Sequence, residues 1–246
     1  MVRLGMSLRH AELKAARALE HLEALEAELE QYYSSSPYSV RRYNDMHRRR
    51  HIIKVDLKNP SDKTYLLVGE ASYCLRCSLD YVAYSLVAAA TATVPGKRVQ
   101  WPVLTQTNVD VFNANTKGMA PAAAHLIEQL QPYHHGKFKQ HPIWQLHRLN
   151  NIDKHRRLGL LENWLDMQFP KLKPTDDVVR DAEAGEITLP LALAQSEMWL
   201  NPRPAIWFGD TEEEVWVDAK RLREIHWYIT VDVLPLFEPF FVRAVA

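Results

Sequence analysis

Glycine is scarce in this chain and never clustered: eight residues in 246, with no GxGxxG and no GxxxxGK followed by Ser or Thr. Backbone N–H groups cradle a phosphate only where glycines at those spacings let the chain approach it, so nucleotide binding by a Gly-rich loop has no support. A GxSxG elbow is also missing, which removes the α/β-hydrolase nucleophile. Cysteine is limited to Cys74 and Cys77. A zinc site would need two further ligands, and a redox pair would place its first thiol at a helix N-terminus. Here CLRC sits inside a helical pattern with Leu75, Leu79, Val82 and Leu86. The two cysteines therefore read as structural thiols, with metal or redox work as the alternative. Long apolar runs are lacking too. The start, MVRLGMSLRHAELK, is broken by Arg, His, Glu and Lys, and no window approaches the roughly 18 apolar residues of a membrane span. The expectation is a cytoplasmic chain with no membrane partner.

Net charge is also absent, with 30 basic and 30 acidic residues, but the two signs are unevenly placed. Up to Leu158 there are 22 Lys and Arg against 14 Asp and Glu; beyond it there are 8 against 16. This distribution fits either a basic surface that attracts phosphates or halves that neutralise each other within a subunit or across a dimer. A composition of 47% hydrophobic and 24% charged residues is that of an ordinary globular protein.

Leu4, Leu8, Ala11, Ala15, Ala18, Leu22, Leu25, Leu29 and Tyr32 recur at alternating steps of four and three, which predicts one helix over about 7–33 with a narrow apolar seam. The seam closes on a helix of the same chain or on a second copy. SSSP at 34–37 ends it. Tyr38 to Leu57 reads as one or two exposed strands. Helices are predicted from about Gly69 to Ala92, over AAAHLIEQLQPY, and over PIWQLHRL; VQWPVL is extended. ITLPLALA and RPAIWFG read as strands, and a last helix over about 215–241 is perturbed at Pro235 and Pro239. The predicted class is α+β, predominantly helical: an up-down core of four to five helices, spanning about 69–160, with a small β element. It is taken as a single domain over 1–246, with a mixed β and helical part over 161–246.

Pro142 to Leu158, PIWQLHRLNNIDKHRRL, concentrates polar chemistry on one predicted helix. At roughly 100° per residue, Trp144, Arg148, Asn151, Ile152 and His155 share a stripe, with Arg148 and His155 about 20° apart, while Leu146, Leu149 and Leu160 gather on another side. Five histidines lie between 134 and 155, yet no HxxxH or HExxH occurs among them to place two imidazoles on one helix face, so no metal or other cofactor is expected. On the preceding helix Arg76 and Asp80 are spaced for an intrahelical ion pair at the margin of the core. Lys154 or His155 is the expected partner of a partly buried Asp80, which would make Asp153 and its neighbours a structural polar lock.

The segments GEASYCLRCSLDYVAYSLV (69–87) and LHRLNNIDKHRRL (146–158) resemble a family of uncharacterised bacterial and phage-associated proteins with a GDALHNLRSALDHLA-like pattern followed by an NIDKHR motif. Gly69, Ala71, Leu75, Arg76, Leu79, Asp80 and Ala83 match the first, and Leu146, Leu149 and Asn151 to Arg156 the second; Cys74 and Tyr81 stand where the pattern has Asn and His. More distantly the chain is similar to the HEPN superfamily, helical proteins whose nucleases set Arg and His four to six residues apart on one helix and complete the site across a dimer. That resemblance implies a homodimer, an RNA partner and a metal-independent ribonuclease of a defence or mobile-element system. His155 would move the proton and Arg148 or Arg156 would stabilise phosphorane charge, with Arg76 as a substitute cation. Asn151 would bind a phosphate oxygen and Trp144 would stack a base. The competing expectations are a non-catalytic interaction protein and a small-molecule or nucleotide-binding module.

Overall fold

The structure is a computed structural model, and it describes residues 7–155, 159–163, 167–168, 177–181, 186–194, 199–200, 205–210 and 215–241. The elements run α1 (Arg9–Ser34), β1 (Tyr38–Asp45), β2 (Arg50–Leu57), α2 (Asp62–Thr91), α3 (Val109–Thr116), α4 (Pro121–Gln129) and α5 (Pro142–His155). They continue with β3 (Gly159–Asn163), β4 (Met167–Gln168), β5 (Val179–Asp181), β6 (Glu186–Pro190), β7 (Trp199–Leu200), β8 (Ala205–Asp210), β9 (Val215–Val217) and α6 (Ala219–Trp227). The class is α+β and mostly helical. Among the described residues no helix is long and apolar enough to cross a membrane.

The chain divides into two compact units, one of residues 1–25, 65–160 and 208–246, the other of residues 26–64 and 161–207. In the first, the core gathers Leu8, Ala11, Ala15 and Ala18 of α1 with Leu75, Leu79, Val82 and Leu86 of α2, Ile127 of α4, Ile143 and Leu146 of α5, and Ile225 of α6. The seam of α1 is thus buried within its own chain. Its alanines let neighbouring helices come close: Ser78 Oγ donates to the Ala11 carbonyl at 2.8 Å, and His226 Nε2 lies 3.1 Å from that of Ala15.

In the second unit a four-stranded antiparallel sheet has the order β1-β2-β6-β5. Its hairpin pairs Tyr38 with Leu57 and Asp45 with Arg50. Ile53, Ile187 and Leu189 form a small apolar face.

Three boundaries differ from expectation. Helix α2 begins at Asp62 rather than near Gly69, because Gly69 is an interior glycine set against another helix and not a start signal. Leu160 lies in β3, so it cannot extend the apolar stripe of α5. The last helix begins at Ala219 rather than at Val215, because Val215–Val217 is β9; it then passes into a π-helix at Tyr228–Val233 and a 3₁₀ stretch at Leu234–Phe240, where the perturbation at the prolines was expected. Pro235 and Pro239 lack the N–H that continued α-helix requires.

Candidate functional site

Burial dictates the first cluster. Arg76 is 5% exposed on α2, and a guanidinium in that position must be paired. Its Nη1 lies 2.9 Å from Asp80 Oδ1, and Nη2 donates to the Trp101 carbonyl at 2.7 Å. The Trp101 N–H donates back to Asp80 Oδ1 at 2.9 Å. Desolvation pushes the Asp80 carboxyl up, opposed by Arg76, the Trp101 N–H and Lys154. Burial lowers the Arg76 guanidinium, with Asp80 opposing. The lock therefore fastens the extended segment at Trp101 onto α2. Among the described residues Asp80 takes its hydrogen-bonded partners there and within α2 rather than from 151–155, and Lys154 acts on it through its charge.

Helix α5 spends much of its motif on packing. Trp144 is 6% exposed, edge-on to Phe138 with ring centroids 5.8 Å apart. It is a core residue, so the base-stacking role expected of it is not open to it in this conformation. Ile152 is buried. Asn151 Nδ2 lies 3.1 Å from His147 Nε2; an amide nitrogen donates, so Nε2 accepts and the ring proton is on Nδ1. Burial first, then Arg76, Arg148 and Lys154, hold His147 down to about 4, so it is neutral near pH 7. Its Nδ1 is buried with no hydrogen-bond partner among the described residues. Asp153 sits directly against Gly69 of α2, where a methyl group would fall inside its carboxylate. Burial and Glu70 raise that carboxyl, and Lys154 opposes.

His155 is exposed at the end of α5 and Arg148 is half-buried. Seven residues on one helix separate them by about 10 Å along the axis, farther than one phosphate group reaches unaided. Arg156 lies outside the described residues. Among those described, no group of three His, Cys, Asp or Glu side chains is arranged to hold a metal ion.

An outer surface accompanies this interior. Tyr73, Tyr81 and Tyr84 are exposed on α2, and with Cys77 their spacing of four, four and three sets them within about 80° of one another. The Lys14 ammonium of α1 and the Lys154 ammonium of α5 each lie 5.5 Å from the Tyr73 ring centroid. His10 meets Tyr81 edge-on at 6.4 Å. A hydrogen bond to Cys77 raises the Tyr73 phenol, so it stays protonated. Nearby Glu70 is engaged by His21 at 3.0 Å. Burial raises the Cys74 thiol, which suits a packing role. On α2 the sequence showed the leucine stripe, the two cysteines and the Arg76–Asp80 spacing; the tyrosine spacing on the opposite face was the unused signal for this surface.

Comparisons of the chain with protein-family models, with curated proteins and with solved structures return no match.

Proposed function

We propose that this is a non-catalytic RNA-binding protein that holds single-stranded RNA on the surface shared by α1, α2 and the end of α5. The observation that carries this reading is Tyr73, an exposed ring with a lysine 5.5 Å away on either neighbouring helix. Single strands are bound by cations that follow the phosphates and by aromatic faces that stack bases without reading their edges. The NIDKHR segment serves the surface as architecture: Asn151 positions His147, Ile152 fills the core, Asp153 meets Gly69, and Lys154 reaches Tyr73.

A second reading, a HEPN-like metal-independent ribonuclease, is favoured by the exposure of His155 one residue from Lys154. His155 would transfer the proton and Arg148 would meet the phosphate. A site completed by a second copy of the chain would relieve the long separation of those two groups, and sedimentation would report the dimer.

One experiment separates the outcomes: anisotropy of a labelled single-stranded RNA in EDTA, followed by electrophoresis of the same samples. Binding should weaken as salt rises, and Tyr73→Ala should weaken it by about 1–3 kcal/mol, with Lys154→Glu weakening it as well. RNA that stays intact supports the binding protein. RNA that is cut by the parent and spared by His155→Ala supports the nuclease. An absence of binding overturns both.

A further inference from the structure

A cleft of about 260 Å³ opens at the start of α5, lined by His135, Lys137, Gln140, His141 and Tyr228 among others. We propose that it binds a small oxyanion of the phosphate class, a site separate from the RNA surface and sharing no residue with it.

Pro142 occupies the first turn of α5, which leaves His141 as its cap. The His141 carbonyl accepts from Gln145 N–H at 3.0 Å, and its ring Nδ1 accepts from Ile143 N–H at 3.3 Å. Since Nδ1 accepts, the ring proton is on Nε2. The residue is 4% exposed, and among the described residues nothing accepts from that Nε2–H. Nε2 is not one of the fully covered side-chain atoms that lack a partner; it stays open to the cleft that the ring lines, where a bound group can accept from it. The ring cannot easily turn away: Tyr228 stands edge-on to it at 5.8 Å and 86°, and His135 lies against it at 4.5 Å. Burial, with His135 and Arg221 adding to it, holds His141 down to about 4, which keeps it a neutral donor.

The other groups agree in polarity. Tyr228 opens the π-helix, a feature frequent at functional sites. Burial and Asp232 raise its phenol, so the hydroxyl remains a donor. Lys137 brings a positive charge, and among the described residues no Asp or Glu lines the cleft. Arg221 braces the rim, donating to the Gln140 carbonyl at 2.6 Å and to Gln145 Oε1 at 2.8 Å. Donors without a carboxylate select an anion over a cation. A volume below the roughly 300–1,000 Å³ of drug-sized sites points to a small ligand.

The test is titration of the full chain, histidine-labelled with ¹⁵N, with inorganic phosphate at constant ionic strength, followed through the imidazole resonances. We expect Nδ1 of His141 to resonate as an unprotonated nitrogen and Nε2 to shift saturably, with a Kd below about 10 mM. His141→Asn keeps an oxygen acceptor at the cap but takes away the imidazole and its Nε2–H, and should weaken phosphate at least ~10-fold while Tm hardly moves. Tyr228→Phe with Lys137→Ala, which leaves the cap untouched, should weaken it comparably and is decisive if His141→Asn does not fold. A parallel titration with ribose 5-phosphate distinguishes a phosphorylated metabolite, which would bind more tightly, from free phosphate, which would bind equally well. Loss of RNA binding in Tyr73→Ala with phosphate binding retained would show the two sites to be distinct. No saturable shift, or equal binding by the variants, overturns the proposal.

Discussion

At the scale of the residue, the Arg76 and Asp80 pair shows how burial changes the worth of an interaction. The same pair, four residues apart on an exposed helix, would contribute a few tenths of a kcal/mol. Around a guanidinium that is almost fully covered, its removal leaves an unpaired charge in the interior. Asp80→Ala should therefore cost about 3–5 kcal/mol, read as a fall in the urea midpoint with unchanged slope. Asp80→Asn keeps an acceptor for the Trp101 N–H and should cost less. A loss in Asp80→Ala no larger than an exposed pair provides would mean that the network does not hold Trp101 in place. The spacing of Arg76 and Asp80 was legible in the sequence. Their shared partner was not, because it is a backbone group 21 residues away in a segment without regular structure, and a carbonyl or an N–H leaves no trace in residue type.

At the scale of the element, helices with long periodic patterns were readable and short ones were not. The seam of α1 and the leucine stripe of α2 found two long helices, although α2 starts at Asp62, ahead of the expected Gly69. Helix α3 went unread because VDVFNANT offers eight residues and a single clear signal, the Asn108 cap that accepts from Val111 N–H at 3.1 Å. The start of α2 was misplaced because Gly69 has a tertiary reason to be glycine. That reason can be measured. Gly69→Ala should gain up to about 1 kcal/mol of helix propensity, but its methyl group displaces the Asp153 carboxylate and the gain is lost. In an Asp153→Ala background the gain should reappear, a coupling of about 1 kcal/mol in a double-mutant cycle. Strict additivity would show that α2 and α5 do not approach at this point.

At the scale of the whole molecule, the charge count and helical class were legible in composition and period, whereas the division into two interleaved units was not, since it depends on which distant segments pack together. The many histidines were visible as a cluster in sequence, but their state was not, because burial sets it. His141 and His147 are both held to about 4, chiefly by desolvation, and burial also lowers His51 and His226. In the unfolded chain these imidazoles return to about 6.5. Between those values the unfolded chain binds more protons than the folded one, so stability is fully present above about pH 6.5 and drains as pH falls toward 4. His141 and His147 should each account for a loss on the order of 2 kcal/mol across that window. Glu28 and Glu128, lowered by their hydrogen bonds to Ser61 and Tyr133, add their losses lower, as pH falls below about 4.5. Urea unfolding at pH 7, 5.5 and 4.5 would measure the slope. His141→Asn combined with His147→Asn removes two of the titrations and should flatten it, even if the variant is less stable at pH 7. A double variant that loses as much stability on acidification as its parent would show that these two rings are not held neutral by burial.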